Sequence, residues 1–172
     1  MKLVHKVTAL ALAVASHAIA ENVPIRAENG MVVSQNDIAS QVGVDVLKDG
    51  GNAMDAAVAT AFALAVTHPL AGNIGGGGFL VFRPAEGEPI AFDFREMAPA
   101  KATDTMWLES GEYRYERHHL SHLSVGVPGT VAGLHMAWTE HGSLPWERLV
   151  DPAVRPATEG FEVTDGLSRS LD

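Results

Sequence analysis

The sequence predicts an α/β fold, and three stretches carry that prediction. Ala53 to Thr67 is alanine-rich and apolar almost all round, interrupted by Asp55, Thr60 and Thr67. A helix of that composition belongs inside a protein, with other layers packed on several sides. Phe79 to Arg83 and Ile90 to Arg95 are apolar-rich runs separated by the turn residues Pro84 to Glu88, the pattern of a β-hairpin. Pro128 then stands near the start of a helix running to about His141, with Gly142 as its stop.

The remaining elements follow from local chemistry. Val32 and Val33 make Met31 to Ser34 a candidate brief strand. Asn36 or Asp37 can cap a helix whose apolar face is Ile38, Val42, Val46 and Leu47, with Gly50-Gly51 ending it. Asn52 and Asp55 open the buried helix, and His68-Pro69 closes it. Lys101 to Ser124 is mixed and polar, with a short helix expected near Met106 to Leu108. Pro145 is expected to open a short helix to Val150, and Pro152 another towards Thr158 that Pro156 ends or kinks.

With 172 residues, 47% hydrophobic and 19% charged, the chain can bury one substantial core. Its net charge of −9 repels nucleic-acid phosphates and anionic lipid heads, so nucleic-acid binding is not expected. The absence of cysteine excludes a disulfide framework, Cys-ligated zinc and a thiol nucleophile within these residues. Lys2, His5 and Lys6, the apolar run Val7 to Ala15, and Ala18-Ile19-Ala20 have the three-part form of an export signal, with cleavage expected after Ala20. The apolar run falls short of the roughly twenty residues that span a bilayer. The mature stretch, 21–172, is therefore expected in the periplasm or outside the cell, without a stable membrane span.

Few side chains suggest chemistry directly. The run Gly75 to Gly78 lacks a following Lys-Ser or Lys-Thr and precedes a strand, so it reads as close packing, not a phosphate cradle. His118 and His122 could share a helical face as metal ligands do, but their polar surroundings read as a solvated loop; no metal is expected. No Gly-x-Ser-x-Gly elbow or Ser-x-x-Lys is present. Arg95 stands out, because its planar fork at the end of a core strand is costly unless its donors are used. A carboxylate in two-point contact would use them. So would an internal ion pair with Asp93 or Glu96, and the residues alone leave both open.

Ordered motifs go further. Gly50-Gly51-Asn52-Ala53 with Asp55-Ala56-Ala57, then Thr67-His68-Pro69, Gly72-Asn73-Ile74 with the glycine run and Phe79, and Asp93 to Ala100 resemble the γ-glutamyltransferase family. Gly126 to Gly133 continues the likeness, and Glu159-Gly160-Phe161 does so more loosely. The resemblance runs from about Glu28 to the end. It implies an N-terminal-nucleophile hydrolase, a four-layer αββα sandwich of which this chain would carry part. It also implies a precursor that cuts itself into large and small subunits, the small one supplying an N-terminal Thr as nucleophile.

On that likeness the chain is the N-terminal part of the large subunit, inactive alone, with the nucleophile outside it. The implied activity is γ-glutamyl transfer and glutathione hydrolysis through a γ-glutamyl-enzyme, with amino acids, peptides or water as acceptors. No cofactor is implied. Arg95 matches the family arginine that binds the α-carboxylate of the γ-glutamyl group. Two alternatives share these features: a cephalosporin-acylase-type relative, and a non-catalytic exported binding protein. Arg155-Pro156 departs from a stretch that is continuous helix in the family.

Overall fold

The computed structural model describes residues 24–171; the expected export signal lies outside them. Helix α1, Asp37–Lys48, begins where the Asn36 side chain accepts the amides of Ile38 and Ala39. Helix α2, Ala53–Thr67, starts with a reciprocal cap. Asn52 Oδ1 accepts the amides of Met54 and Asp55, while Asp55 Oδ2 accepts the amide of Asn52.

The reading of α2 as an interior helix holds. Met54, Val58, Ala59 and Ala63 are essentially inaccessible. Its small residues let α1 pack on one side and two later helices on others. Burial of a side chain such as Met54 is worth about 1.5–3 kcal/mol.

Strands β1, Phe79–Phe82, and β2, Ile90–Asp93, form an antiparallel pair in the register Phe79 with Asp93, Leu80 with Phe92, Val81 with Ala91 and Phe82 with Ile90. Leu80, Phe82 and Phe92 face the core. On the opposite face Phe79 is 64% and Val81 74% exposed. This alternation follows from the period of two along a strand.

Three expectations need correction. Met31 to Ser34 is extended but forms no strand, since among the described residues nothing pairs with it; the Ser34 amide goes instead to Ser40 Oγ. The short helix near Met106 to Leu108 is replaced by a small hairpin, β3, Leu108–Glu109, and β4, Glu112–Tyr113. Its turn residues, Ser110 and Gly111, both have positive φ (55° and 86°), which is what a two-residue hairpin turn demands. The five-residue helix α3, Tyr115–His119, follows, then a single 3₁₀ turn at His122–Ser124.

Helix α4, Thr130–His141, ends at Gly142 as expected. The third correction is helix α5, Trp146–Glu159, which runs unbroken through Pro152 and Pro156. Each interior proline costs about 3 kcal/mol. Yet Leu149, Pro152, Ala153 and Pro156 make one apolar stripe at helical spacing. Leu149 is fully buried against the core, and the Trp146 ring meets Phe62 edge-on at 5.4 Å. That packing holds the helix through both prolines. A last short helix, α6, Asp165–Leu171, buries Leu167. Among the described residues no helix is long and apolar enough to cross a membrane.

Asp55 ties the helices together. It is fully buried, and besides the Asn52 amide its carboxylate accepts the amides of Ser143 and Leu144 and the Ser143 hydroxyl. Burial alone would raise its pKa. The hydrogen bonds, led by that from the Ser143 side chain, outweigh burial and hold it below its ordinary value near 3.8.

Candidate functional site

Beyond β2 the chain runs between two turns that grip it by its backbone. Phe94 exchanges hydrogen bonds with Gly78, at 3.1 and 3.4 Å. Met97 pairs with Val127 in the same fashion, at 3.2 and 2.8 Å. The Phe94 ring presses on α4 at Gly133, where a Cβ would collide with the ring. Residues 94 and 97 are thereby pinned, and Arg95 and Glu96 project from a rigid stretch.

The Arg95 side chain is 63% exposed. Its Nε donates to Glu96 Oε2 at 3.2 Å, and its guanidinium carbon stands 5.8 Å from the centre of the Phe79 ring. Asp93 accepts the Arg95 main-chain amide through Oδ1 at 3.0 Å; it does not hold the guanidinium. Of the two internal partners the sequence offered, Glu96 therefore takes one guanidinium nitrogen and Asp93 takes none. Among the described residues neither terminal nitrogen of the fork has a partner, which leaves its end open for a two-point contact.

Glu96 is held as an acceptor. Its pKa is lowered chiefly by its own backbone amide; burial opposes this, and the Arg95 hydrogen bond and charge and the Gly77 amide add to the lowering. It is ionised at neutral pH, so the Arg95 Nε–H stays engaged. A cavity of about 660 Å³ borders this pair on one side, with Met106, Trp107 and Leu123 among its walls. A smaller one of about 280 Å³, between the end of β2 and α4, borders Arg95 but not Glu96.

The other sequence candidates do not gather here. His118 and His119 both bond the Tyr113 hydroxyl, at 2.8 and 3.2 Å; His118 lies tilted against Trp107 and His119 stacks on Tyr115. Among the described residues no three His, Cys, Asp or Glu side chains converge as a metal site would require. The glycine run keeps its packing role: at Gly77 a Cβ would come within 2.7 Å of Glu96 Oε2.

Two residues near the site were not singled out for this place by sequence reasoning. Asn73 Oδ1 accepts both the Gly76 amide, at 2.8 Å, and the Thr130 hydroxyl, at 2.6 Å. The signal for the first bond was present, since an Asn a few residues before a glycine commonly folds its side chain onto the following backbone. The second joins residues 57 positions apart.

Residues 39–172 match the family model described as Gamma-glutamyltranspeptidase. The chain is 52% identical over 159 residues to the glutathione hydrolase proenzyme of Escherichia coli K12, covering 91% of this chain and 27% of that protein. It is 48% identical to the glutathione hydrolase proenzyme of Pseudomonas sp. strain A14, covering 92% and 28% respectively. The crystal structure of Helicobacter pylori γ-glutamyltranspeptidase superposes with a TM-score of 0.82 at 45% identity, over 86% of this chain and 43% of that one. The chain thus spans a little over a quarter of the length of these curated relatives.

Proposed function

The chain belongs to the γ-glutamyltranspeptidase family and carries part of its α/β fold, and from that premise we propose that it serves an exported enzyme that hydrolyses glutathione and transfers γ-glutamyl groups. In this reading Arg95 grips the α-carboxylate of the donor. The observation that carries it is the half-used fork. Glu96 engages Nε, while the two terminal nitrogens have no partner among the described residues.

A γ-glutamyl compound presents a free α-carboxylate at one end and the scissile amide at the other. Two parallel N–H···O bonds from Arg95 would hold the first end and set the direction of the second. Fixing the remote end positions the amide for attack. The attacking group, on the family pattern, is the N-terminal Thr of a small subunit cut from the same precursor, with its own α-amine as base. The tetrahedral oxyanion collapses by breaking the C–N bond, and the amine leaves with the proton that the α-amine took from the Thr hydroxyl. The resulting γ-glutamyl ester is cleaved by water or by the amine of an amino acid or peptide, which frees the Thr hydroxyl again. The cephalosporin-type alternative is not favoured, because relatives at 52% and 48% identity are glutathione hydrolases by name.

Replacing Arg95 in the complete protein tests the clamp. A charge-assisted hydrogen bond is worth about 1.5–3 kcal/mol, so Arg95→Ala should raise the KM for a γ-glutamyl anilide roughly ten- to hundredfold. Arg95→Lys should fall between, as a point charge without the fork. An unchanged KM and kcat in Arg95→Ala would end the clamp assignment. A matured, folded protein that binds glutamate yet turns over no γ-glutamyl donor would favour the binding-protein alternative. Export rests on the segment before Glu21; N-terminal sequencing of the exported protein should read from Glu21, and a retained Met1 would refute the cleavage.

A further inference from the structure

We propose that Asn73 and Thr130 are positioning residues for the Arg95 fork, acting through the Gly76–Gly77 backbone and the Glu96 carboxylate. The proposal rests on the reading of Arg95 as the donor clamp, and deepens it. Its basis is an unbroken line of contacts from helix α4 to the guanidinium.

Thr130 is the first residue of α4 and is 7% exposed. Its hydroxyl donates to Asn73 Oδ1 at 2.6 Å, and the same oxygen takes the Gly76 amide at 2.8 Å. Asn73 Nδ2 donates to the Ala71 carbonyl at 3.3 Å. The Gly76 carbonyl, in turn, accepts the amides of Gly129 and Thr130, at 2.7 and 3.1 Å. Gly76 is therefore held on both its polar sides, once by a side chain and once by the start of α4.

One residue on, Gly77 lies directly against Glu96: a Cβ there would stand 2.6 Å from the Glu96 nitrogen and 2.7 Å from Oε2. The position of the Gly76–Gly77 backbone thus bounds the space of the Glu96 carboxylate, whose Oε2 accepts the Arg95 Nε at 3.2 Å. The residue types suit the task. A carboxamide can accept two hydrogen bonds and still donate one, and a Thr hydroxyl supplies a single directed proton. Neither side chain contacts Arg95 in the hydrogen-bond network, so their influence on the donor passes through where they hold the fork.

A residue that only stabilised the turn would weaken the enzyme towards every donor. A positioning residue weakens it towards donors that own the carboxylate Arg95 grips. The complete protein is assayed with a γ-glutamyl anilide and with the 4-aminobutyryl anilide, which keeps the amine and lacks the carboxylate. Asn73→Ala should raise KM for the first about tenfold, the scale of one lost hydrogen bond. It should leave kcat/KM for the second unchanged. Asn73→Asp, which preserves both acceptor bonds, should recover most of the affinity. Thr130→Val should reproduce the loss and Thr130→Ser restore it.

On an Arg95→Ala background Asn73→Ala should add nothing. Equal losses on both anilides, or full additivity with an impaired Arg95→Ala, would overturn the positioning role while leaving the clamp standing. An Arg95→Ala enzyme without any defect would instead overturn the clamp, and this proposal with it. Should Asn73→Ala fail to accumulate as folded protein, Thr130→Val, which removes one hydroxyl and keeps the shape, decides the question on the same criteria.

Discussion

Asp55 and Arg95 are both charged residues set in family-like motifs, and they are treated in opposite ways. Asp55 is fully buried, and its two oxygens take the amides of Asn52, Ser143 and Leu144 and the hydroxyl of Ser143. Every bond is internal, and together they join the start of α2 to the link between α4 and α5. Arg95 is 63% exposed and has one of its three guanidinium nitrogens engaged, by the neighbouring Glu96. A charge whose hydrogen-bonding capacity is consumed inside the fold maintains the fold. One that is held by a single nitrogen and left open at its end is available to something else. The difference lies in satisfaction, not in charge.

That contrast can be tested from its heavier side first. Asp55→Ala in the complete protein would remove several part-buried hydrogen bonds to one buried carboxylate at once, each worth about 1 kcal/mol or more. Thermal or denaturant unfolding should show a loss of about 3 kcal/mol or more; a loss under about 1 kcal/mol would show that Asp55 does not tie the helices as described. Acid should produce a smaller effect of the same origin. Because the folded pKa of Asp55 lies below its ordinary value near 3.8, its contribution is fully present above that value and is lost as pH falls through the folded pKa. The unfolding midpoint of the wild type should therefore drop below pH 4, and Asp55→Asn should flatten that part of the profile. The smallest effect belongs to Arg95→Ala, whose unfolding midpoint should match wild type even as its donor KM climbs. A large drop in midpoint would make Arg95 a structural residue and erase the distinction.

Much of this arrangement was legible in the residues. Asn36 and Asn52 announced two helices by their capping chemistry, and the composition of Ala53 to Thr67 announced burial. The strand pair followed from two apolar runs flanking turn residues, although the second strand stops at Asp93 and leaves Arg95 beyond it, not at its end as expected. The misses have physical reasons. Two prolines in α5 argued for a break, and the argument failed because tertiary burial of Leu149 and packing of Trp146 outweigh a local cost. Met31 to Ser34 has strand composition, but a strand exists by pairing, which composition does not encode.

The site itself was half visible. Arg95 could be chosen from its position, but which acid would meet which of its nitrogens depended on backbone geometry one or two residues away. Asp55 with Ser143, 88 residues apart, and Asn73 with Thr130 are long-range polar contacts between residues common in any loop. No local pattern distinguishes them.

The β1–β2 hairpin carries a practical lesson. With Phe79 and Val81 exposed on its outer surface, the ribbon offers both a greasy patch and strand edges that are unpaired among the described residues, the combination by which polypeptides recruit copies of themselves. Anyone expressing this stretch in isolation should expect oligomers that grow with concentration. Threonine at both positions, which retains the preference for extended backbone, is the first remedy to try.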